Sequence, residues 1–347
     1  MSAILRRLVP VTAIAGAMML AATGCLAGES TSAAAPSSNG DSDSTWSADT
    51  LTVDFATYNP LSLIIRDQGL IEEALGDDVT VEWVQSAGSN KANELLRSGS
   101  ADIASTAGSA ALLARANGSP IQVIDIYSQP EWSAIVVGGD SDITSVEDLR
   151  GKSVAATKGT DPYFFLLQAL DTADIGLDEV EVQNLQHADG RAALDGGSVD
   201  AWAGLDPIMA AAEVESGDQL IYRNVDFNTY GFLNATEDFI AQHPDLVQVV
   251  VDAYEQARTW ALDHPDETAA LLAEVAGIDL DVATTVIAER SNLDVSGVPG
   301  DDQIAVLTRI LPVIADSGDV SGGEEALNAA LETIVNDTFA AQAVNGQ

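Results

Sequence analysis

From Thr50 onward the chain alternates strand patterns with helical ones, does so twice, and then turns entirely helical. No other feature restricts its fold as much. Residues 51–55 alternate as a strand, and Pro60 opens a helix that Gly76 closes. Residues 79–84 alternate cleanly, 90–98 read as a helix ended by Gly99, and 102–104 as a short strand before a helix over 108–117. Strands at 121–126 and 134–137 follow. The rhythm restarts with a strand at 154–156, a helix at 162–173, a strand at 180–185, a short helix at 191–194, a strand at 199–203 and a helix at 207–215. From Pro244 the runs 244–264, 266–276, 280–290, 301–316 and 323–336 are all helical. Such alternation implies largely parallel sheets with helices on both faces. Two such units in 347 residues, too many for one compact core, predict two lobes with a cleft between them. No repeat of solenoid length is present.

Charge removes several function classes. The chain carries 54 acidic against 14 basic residues, a formal charge of −40. It therefore lacks the basic footprint that nucleic acid or an anionic membrane surface requires. Apolar residues at 46% support packed cores, while aromatics at 5% leave little for a stacking surface. The acidic excess suits a soluble monomer.

The N-terminus is predicted to direct export. Arg6 and Arg7 precede an apolar run over 8–22, then Ala22-Thr23-Gly24-Cys25. That is the order of a secretory signal peptide, and the run falls short of the roughly 20 residues a membrane span needs. Small residues directly before a cysteine resemble the lipobox of bacterial lipoproteins. The resemblance implies a signal peptide over 1–24 and lipidation at Cys25. Residues 25–48, rich in Ser, Thr, Ala, Gly and Asp, are expected to be a flexible tether.

Signatures of catalysis are sparse. There is no G-x-S-x-G, no G-x-G-x-x-G and no P-loop. His187, His243 and His264 lack metal-ligand spacing, and Cys25 is the one cysteine. No catalytic residue, metal or cofactor is expected. Instead, three strands are followed by small-residue turns that open helices: Gln85 to Ser89, Ser105 to Ser109, and Lys158 to Asp161. Helix N-termini at the carboxyl ends of strands can aim free N–H groups at an anion.

At these turns the sequence resembles a known family. KGTDPYFFLLQAL (158–170) and GSVDAWAGLDPIMAAAE (197–213) are similar to segments of the substrate-binding proteins of ABC importers for aliphatic sulfonates, taurine and nitrate. YNPLSLIIRDQGLIEEALG and RSGSADIASTAGSAALLARANGSPI follow the same pattern. The resemblance implies an α/β type II periplasmic-binding-protein fold. Lobe one would be 49–138 with 232–345, and lobe two 139–231. The hinge would pass through Val137-Gly138-Gly139 and Tyr230-Gly231-Phe232. It further implies a lipid-anchored, extracytoplasmic, monomeric protein that hands a small ligand to an ABC permease and its ATPase.

Residue by residue, the ligand site is expected at Tyr58, Asn59, Gly88, Thr106, Gly108, Ser109, Glu131, Lys158, Gly159, Thr160, Tyr163, Trp202, Asp206 and Tyr230. Asp161 stands where the family often has Ser or Asn. Either it caps the following helix, or it faces the cleft and disfavours a bare anion relative to an amine-bearing acid such as taurine. Nitrate, a pyrimidine thiamine precursor, an aromatic acid, and an enzyme making the thiamine pyrimidine on the same scaffold are the other readings.

Overall fold

The structure, a computed structural model, describes residues 45–345. The predicted signal peptide, Cys25 and the tether up to residue 44 lie outside the described residues. Trp46 and Ser47, at the end of that tether, are held by the body. The Trp46 indole N–H donates to the Leu75 carbonyl at 3.1 Å, and the Ser47 amide to Asp245 Oδ2 at 2.8 Å.

The first half contains β1 (Thr50–Phe55), α1 (Pro60–Gln68), α2 (Leu70–Leu75), β2 (Thr80–Gln85), α3 (Ser89–Ser98), β3 (Ile103–Ala107), α4 (Gly108–Ala116) and β4 (Ile121–Ser128). Next come β5 (Ser133–Val137), β6 (Ser153–Ala156), α5 (Asp161–Thr172), β7 (Glu181–Asn184), α6 (His187–Asp195), β8 (Ala201–Leu205), α7 (Ile208–Glu215) and β9 (Gln219–Arg223). After β10 (Gly231–Thr236) the chain is helical: α8 (Glu237–Gln242), α9 (Pro244–Asp263), α10 (Pro265–Ala276), α11 (Leu280–Thr285), a π-helical turn (Val286–Arg290), α12 (Asp301–Asp316), α13 (Gly323–Leu331) and α14 (Thr338–Asn345). The single helix predicted from Pro60 to Gly76 is two, because Gly69 adopts φ 64° and closes α1. The sequence reading also missed β9, β10, α8 and α14. β10 escapes the alternation rule because it is buried on both faces.

Two five-stranded sheets result, ordered β2-β1-β3-β10-β4 and β7-β6-β8-β5-β9. Each sheet is largely parallel, as the alternation implies, with one strand reversed. β10 runs antiparallel to β3 and β4, and β5 antiparallel to β8 and β9. These two strands arrive from the other lobe rather than through a helical crossover. They therefore enter their sheets at the end where the wound strands finish.

The chain crosses between lobes at 129–132 and 224–230. The second crossing ends at Tyr230. The first lies before β5 and not after it, so residues 133–138 belong with lobe two, and Val137-Gly138-Gly139 is no hinge.

The helical tail completes lobe one. Val247, Val250, Val251 and Tyr254 of α9 bury against Leu61, Ile64 and Ile65 of α1, each such aliphatic side chain contributing about 1.5–3 kcal/mol. A second apolar cluster spans both lobes, joining Leu112 of α4 and Leu307 of α12 to Tyr163, Phe164 and Phe165 of α5. The lobes are thus apposed, with the carboxyl ends of both sheets at the seam.

Candidate ligand cleft

At the middle of the seam stands Asp161, the first residue of α5. Its carboxylate accepts four hydrogen bonds, none from α5 itself. Oδ1 accepts from Ser109 Oγ of lobe one and from Thr229 Oγ1 at 2.8 Å. Oδ2 accepts from the Trp132 indole N–H at 2.9 Å and the Thr229 amide at 2.7 Å. The group therefore ties lobe two to lobe one and to both crossings. It is fully buried, which raises its pKa, while the Ser109, Thr229 and Trp132 donors oppose that rise. All four partners are donors, which suits the ionised form.

Beneath this point lobe one carries a second buried acid. Asp54 accepts from Ser86 Oγ at 2.6 Å and from the Ser105 amide at 2.8 Å, yet burial lifts it to about 7. The Tyr58 hydroxyl joins the same group, meeting Ser86 Oγ at 2.9 Å and donating to the Ser105 carbonyl at 3.0 Å. Its ring stands edge-on to Trp132 with centroids 6.2 Å apart.

On one side of Asp161 the lobes nearly touch. A Cβ on Gly88 would lie 2.9 Å from His187 Nε2 and 3.0 Å from Asn90 Oδ1. Gly159, at φ +76°, faces lobe one less tightly, a Cβ there lying 3.7 Å from Leu113 and 4.0 Å from Asn90. The Thr157 hydroxyl donates to the Leu185 carbonyl, so it accepts from Nδ1–H of His187, leaving Nε2 as a buried acceptor with no partner. Burial lowers the His187 pKa to about 4, and the ring is neutral at pH 7. Asn90 Oδ1 and the Tyr163 hydroxyl are likewise buried and unpaired. Burial, helped by Asp319, raises Tyr163 to about 12.

On the other side, Arg290 reaches from the π-helical turn into lobe two. Its Nη1 lies 3.3 Å from both Asp206 oxygens, and its Nη2 2.7 Å from Glu213. Burial nevertheless pushes Asp206 up to about 6. Tyr58, Trp132, Asp206, Arg290, Ser128 and Ser291 line a small hollow here.

The predicted site residues divide accordingly. Tyr58, Gly88, Ser109, Gly159, Tyr163 and Asp206 converge on the seam. Gly108 sits at the start of α4, its amide bonded to the Tyr230 carbonyl at 2.9 Å. Lys158 bridges the lobes at the surface, 3.9 Å from Asp319. Five of the expected residues are engaged within the protein. Trp202 packs within lobe two, among Ala134, Leu194 and Met209. Asn59 caps α1 and donates to the Tyr254 hydroxyl at 2.9 Å inside lobe one. Thr106 is held by the Asn234 amide and the Ala107 carbonyl. Glu131 pairs with Arg223 on the flank of the crossing. The Thr160 hydroxyl is turned back onto the Thr157 carbonyl at 2.6 Å. Trp132, Thr229, Asn90 and Arg290 were not anticipated.

Comparison with known proteins bears on this architecture. Residues 76–268 match the family described as NMT1/THI5 like, more than half of the chain. The chain belongs to the NMT1/THI5-like family. Two curated relatives carry the name of aliphatic sulfonates-binding proteins. One, from Escherichia coli (strain K12), is 29% identical over 60% of this chain and 66% of its own length. The other, from Bacillus subtilis (strain 168), is 26% identical over 69% of this chain and 73% of its own. Among solved structures, the alkanesulfonate-binding protein SsuA from Xanthomonas axonopodis pv. citri, bound to MOPS, superposes with a TM-score of 0.71 at 23% identity. That match covers 85% of this chain and 98% of the other. The desulfurization enzyme DSZB superposes at 0.62–0.63 with 17% identity, covering 86% of this chain and 99% of the other. These likenesses establish the periplasmic-binding-protein fold, which among these structural neighbours hosts both binding proteins and an enzyme.

Proposed function

We propose that this chain is the extracytoplasmic binding component of an ABC importer, capturing a small organic sulfonate between its lobes and delivering it to the permease. The names of its two curated relatives support the sulfonate class. The observation that carries the reading is the convergence of Ser109, Trp132, Thr229 and Asp161 from both lobes and both crossings on one buried point. A ligand admitted there touches every part that moves when such a protein closes. Closure would shift a pre-existing equilibrium, and the closed form would be what the permease meets. Cys25, once lipidated, would leash the body to the outer face of the membrane.

Between ligand subclasses, the seam favours an aminosulfonate such as taurine over a simple alkanesulfonate. Its unpaired buried atoms include the acceptors His187 Nε2 and Asn90 Oδ1, which an ammonium group would satisfy. A thermal-shift panel of alkanesulfonates, taurine, nitrate, pyrimidines and aromatic acids tests this. A ligand at 100 times its Kd adds about 2.7 kcal/mol of stability. A panel in which no sulfonate raises Tm refutes the sulfonate class. The anchor is tested apart from the ligand: Cys25→Ala should move the protein from the membrane fraction to the supernatant.

A further inference from the structure

We propose that Asp161 is an anion built into the cleft, a carboxylate that fastens the lobes when no ligand is bound and selects against bare anionic ligands. The inference rests on the binding-protein reading and adds the residue that sets its selectivity.

The placement of the carboxylate is the first argument. An aspartate at the start of a helix ordinarily serves that helix by accepting from its free amides. Asp161 bonds no amide of α5, and its four partners lie on α4 and on the two crossings. Helix stability therefore does not account for where the group points.

Saturation of the donors is the second. Ser109 Oγ, Thr229 Oγ1, the Thr229 amide and the Trp132 indole form a donor set from separate segments, as an anion site requires. The Ser109 amide is itself directed to Thr229 Oγ1 at 3.2 Å. Every member is committed to Asp161 or to another member, and Asp161 is 1% exposed. An incoming sulfonate or nitrate finds these four donors taken and meets a like charge at close range. The third argument is what surrounds it. On the Gly88 side the buried groups without a partner include the acceptors His187 Nε2 and Asn90 Oδ1, while Arg290, on the other side, has its Nη atoms committed to Asp206 and Glu213.

The test uses full-length protein with Asp161→Ala and Asp161→Asn, small-angle scattering for closure, and calorimetry for binding. The parent should be compact without ligand and indifferent to millimolar sodium formate. Asp161→Ala should be expanded, and formate, a carboxylate that fits the vacated place, should return it to the compact form. Ethanesulfonate should bind Asp161→Ala at least about tenfold more tightly than the parent. Asp161→Asn keeps the side-chain shape but sets an amide against donors, and should be expanded as well. That variant carries the test should Asp161→Ala fail to fold. A compact ligand-free Asp161→Asn protein, or equal responses of parent and Asp161→Ala to formate and ethanesulfonate, overturns the proposal. Tight ethanesulfonate binding by the parent that Asp161→Ala does not improve would sink the latch and leave the sulfonate reading intact. Formate closing Asp161→Ala while no sulfonate binds either protein would do the reverse.

Discussion

Replacing Arg290 by methionine should make stability depend more steeply on pH, by an amount the structure sets. Arg290 is the positive partner of Asp206 across the seam, and both side chains are buried. Methionine preserves most of the aliphatic volume and removes the charge. In the parent, burial raises the Asp206 pKa to about 6 despite Arg290 and the Ala210 amide, which pull it down. A folded-state value above the unfolded one means that the fold favours the protonated acid. The stability linked to that proton is complete at low pH and is lost as pH rises through the folded pKa. In the parent this loss ends just above pH 6. Without Arg290 the folded pKa rises further, so the loss continues at about 1.4 kcal/mol per pH unit beyond 6. Between pH 5 and 8 Arg290→Met should therefore lose roughly 2–3 kcal/mol more than the parent. At pH 5, with Asp206 protonated in both, the two should differ only by the lost hydrogen bonds, about 1 kcal/mol. Urea unfolding at pH 5, 6, 7 and 8 measures the difference, and groups that titrate alike in both proteins cancel. Adding Asp206→Asn to Arg290→Met should abolish the extra slope. A deficit that is the same at every pH would refute the electrostatic account and assign Arg290 to packing alone.

Further outcomes follow from the seam and the surface. Gly88→Ala brings a methyl against His187 and Asn90 in the closed form, an overpacking worth about 1–3 kcal/mol. The urea midpoint of the ligand-free protein, closed at this seam, should fall accordingly, and an unchanged midpoint would place the seam elsewhere. His187, at about 4 when folded, contributes stability that is present above the unfolded value near 6.5 and lost as pH falls below it. His187→Gln should escape roughly 2 kcal/mol of the parent's loss between pH 7 and 5, and a parent-to-variant gap in stability that is equal at both pH values contradicts this. With a formal charge of −40, Tm should rise between low salt and 1 M sodium chloride, where the Debye length falls to about 3 Å. A flat salt profile speaks against self-repulsion as a destabilising force.

Local order is what this sequence determined by itself. The strand and helix sites before Pro244 are legible because amphipathic period, proline starts and glycine stops act within a few residues of one another. The two-lobed fold followed from counting those units, and family segments such as 158–170 and 197–213 pointed to the same architecture. Tertiary structure decided the rest. β5 and β10 run antiparallel because they enter from the opposite lobe, which no local pattern encodes. The same holds for the site. Ser109, Tyr163 and Asp206 could be placed near the cleft from the turns that bear them, but whether a residue on a strand or turn faces the cleft depends on the partner across it. Trp202 and Thr106 turn into the interior, and Thr160 spends its hydroxyl on its own turn. Asp161 was ambiguous as a letter in a motif, since a helix cap and a cleft carboxylate read alike along the chain. Only the arrival of Ser109, Trp132 and Thr229, 29 to 68 residues away in sequence, commits its charge to the seam between the lobes.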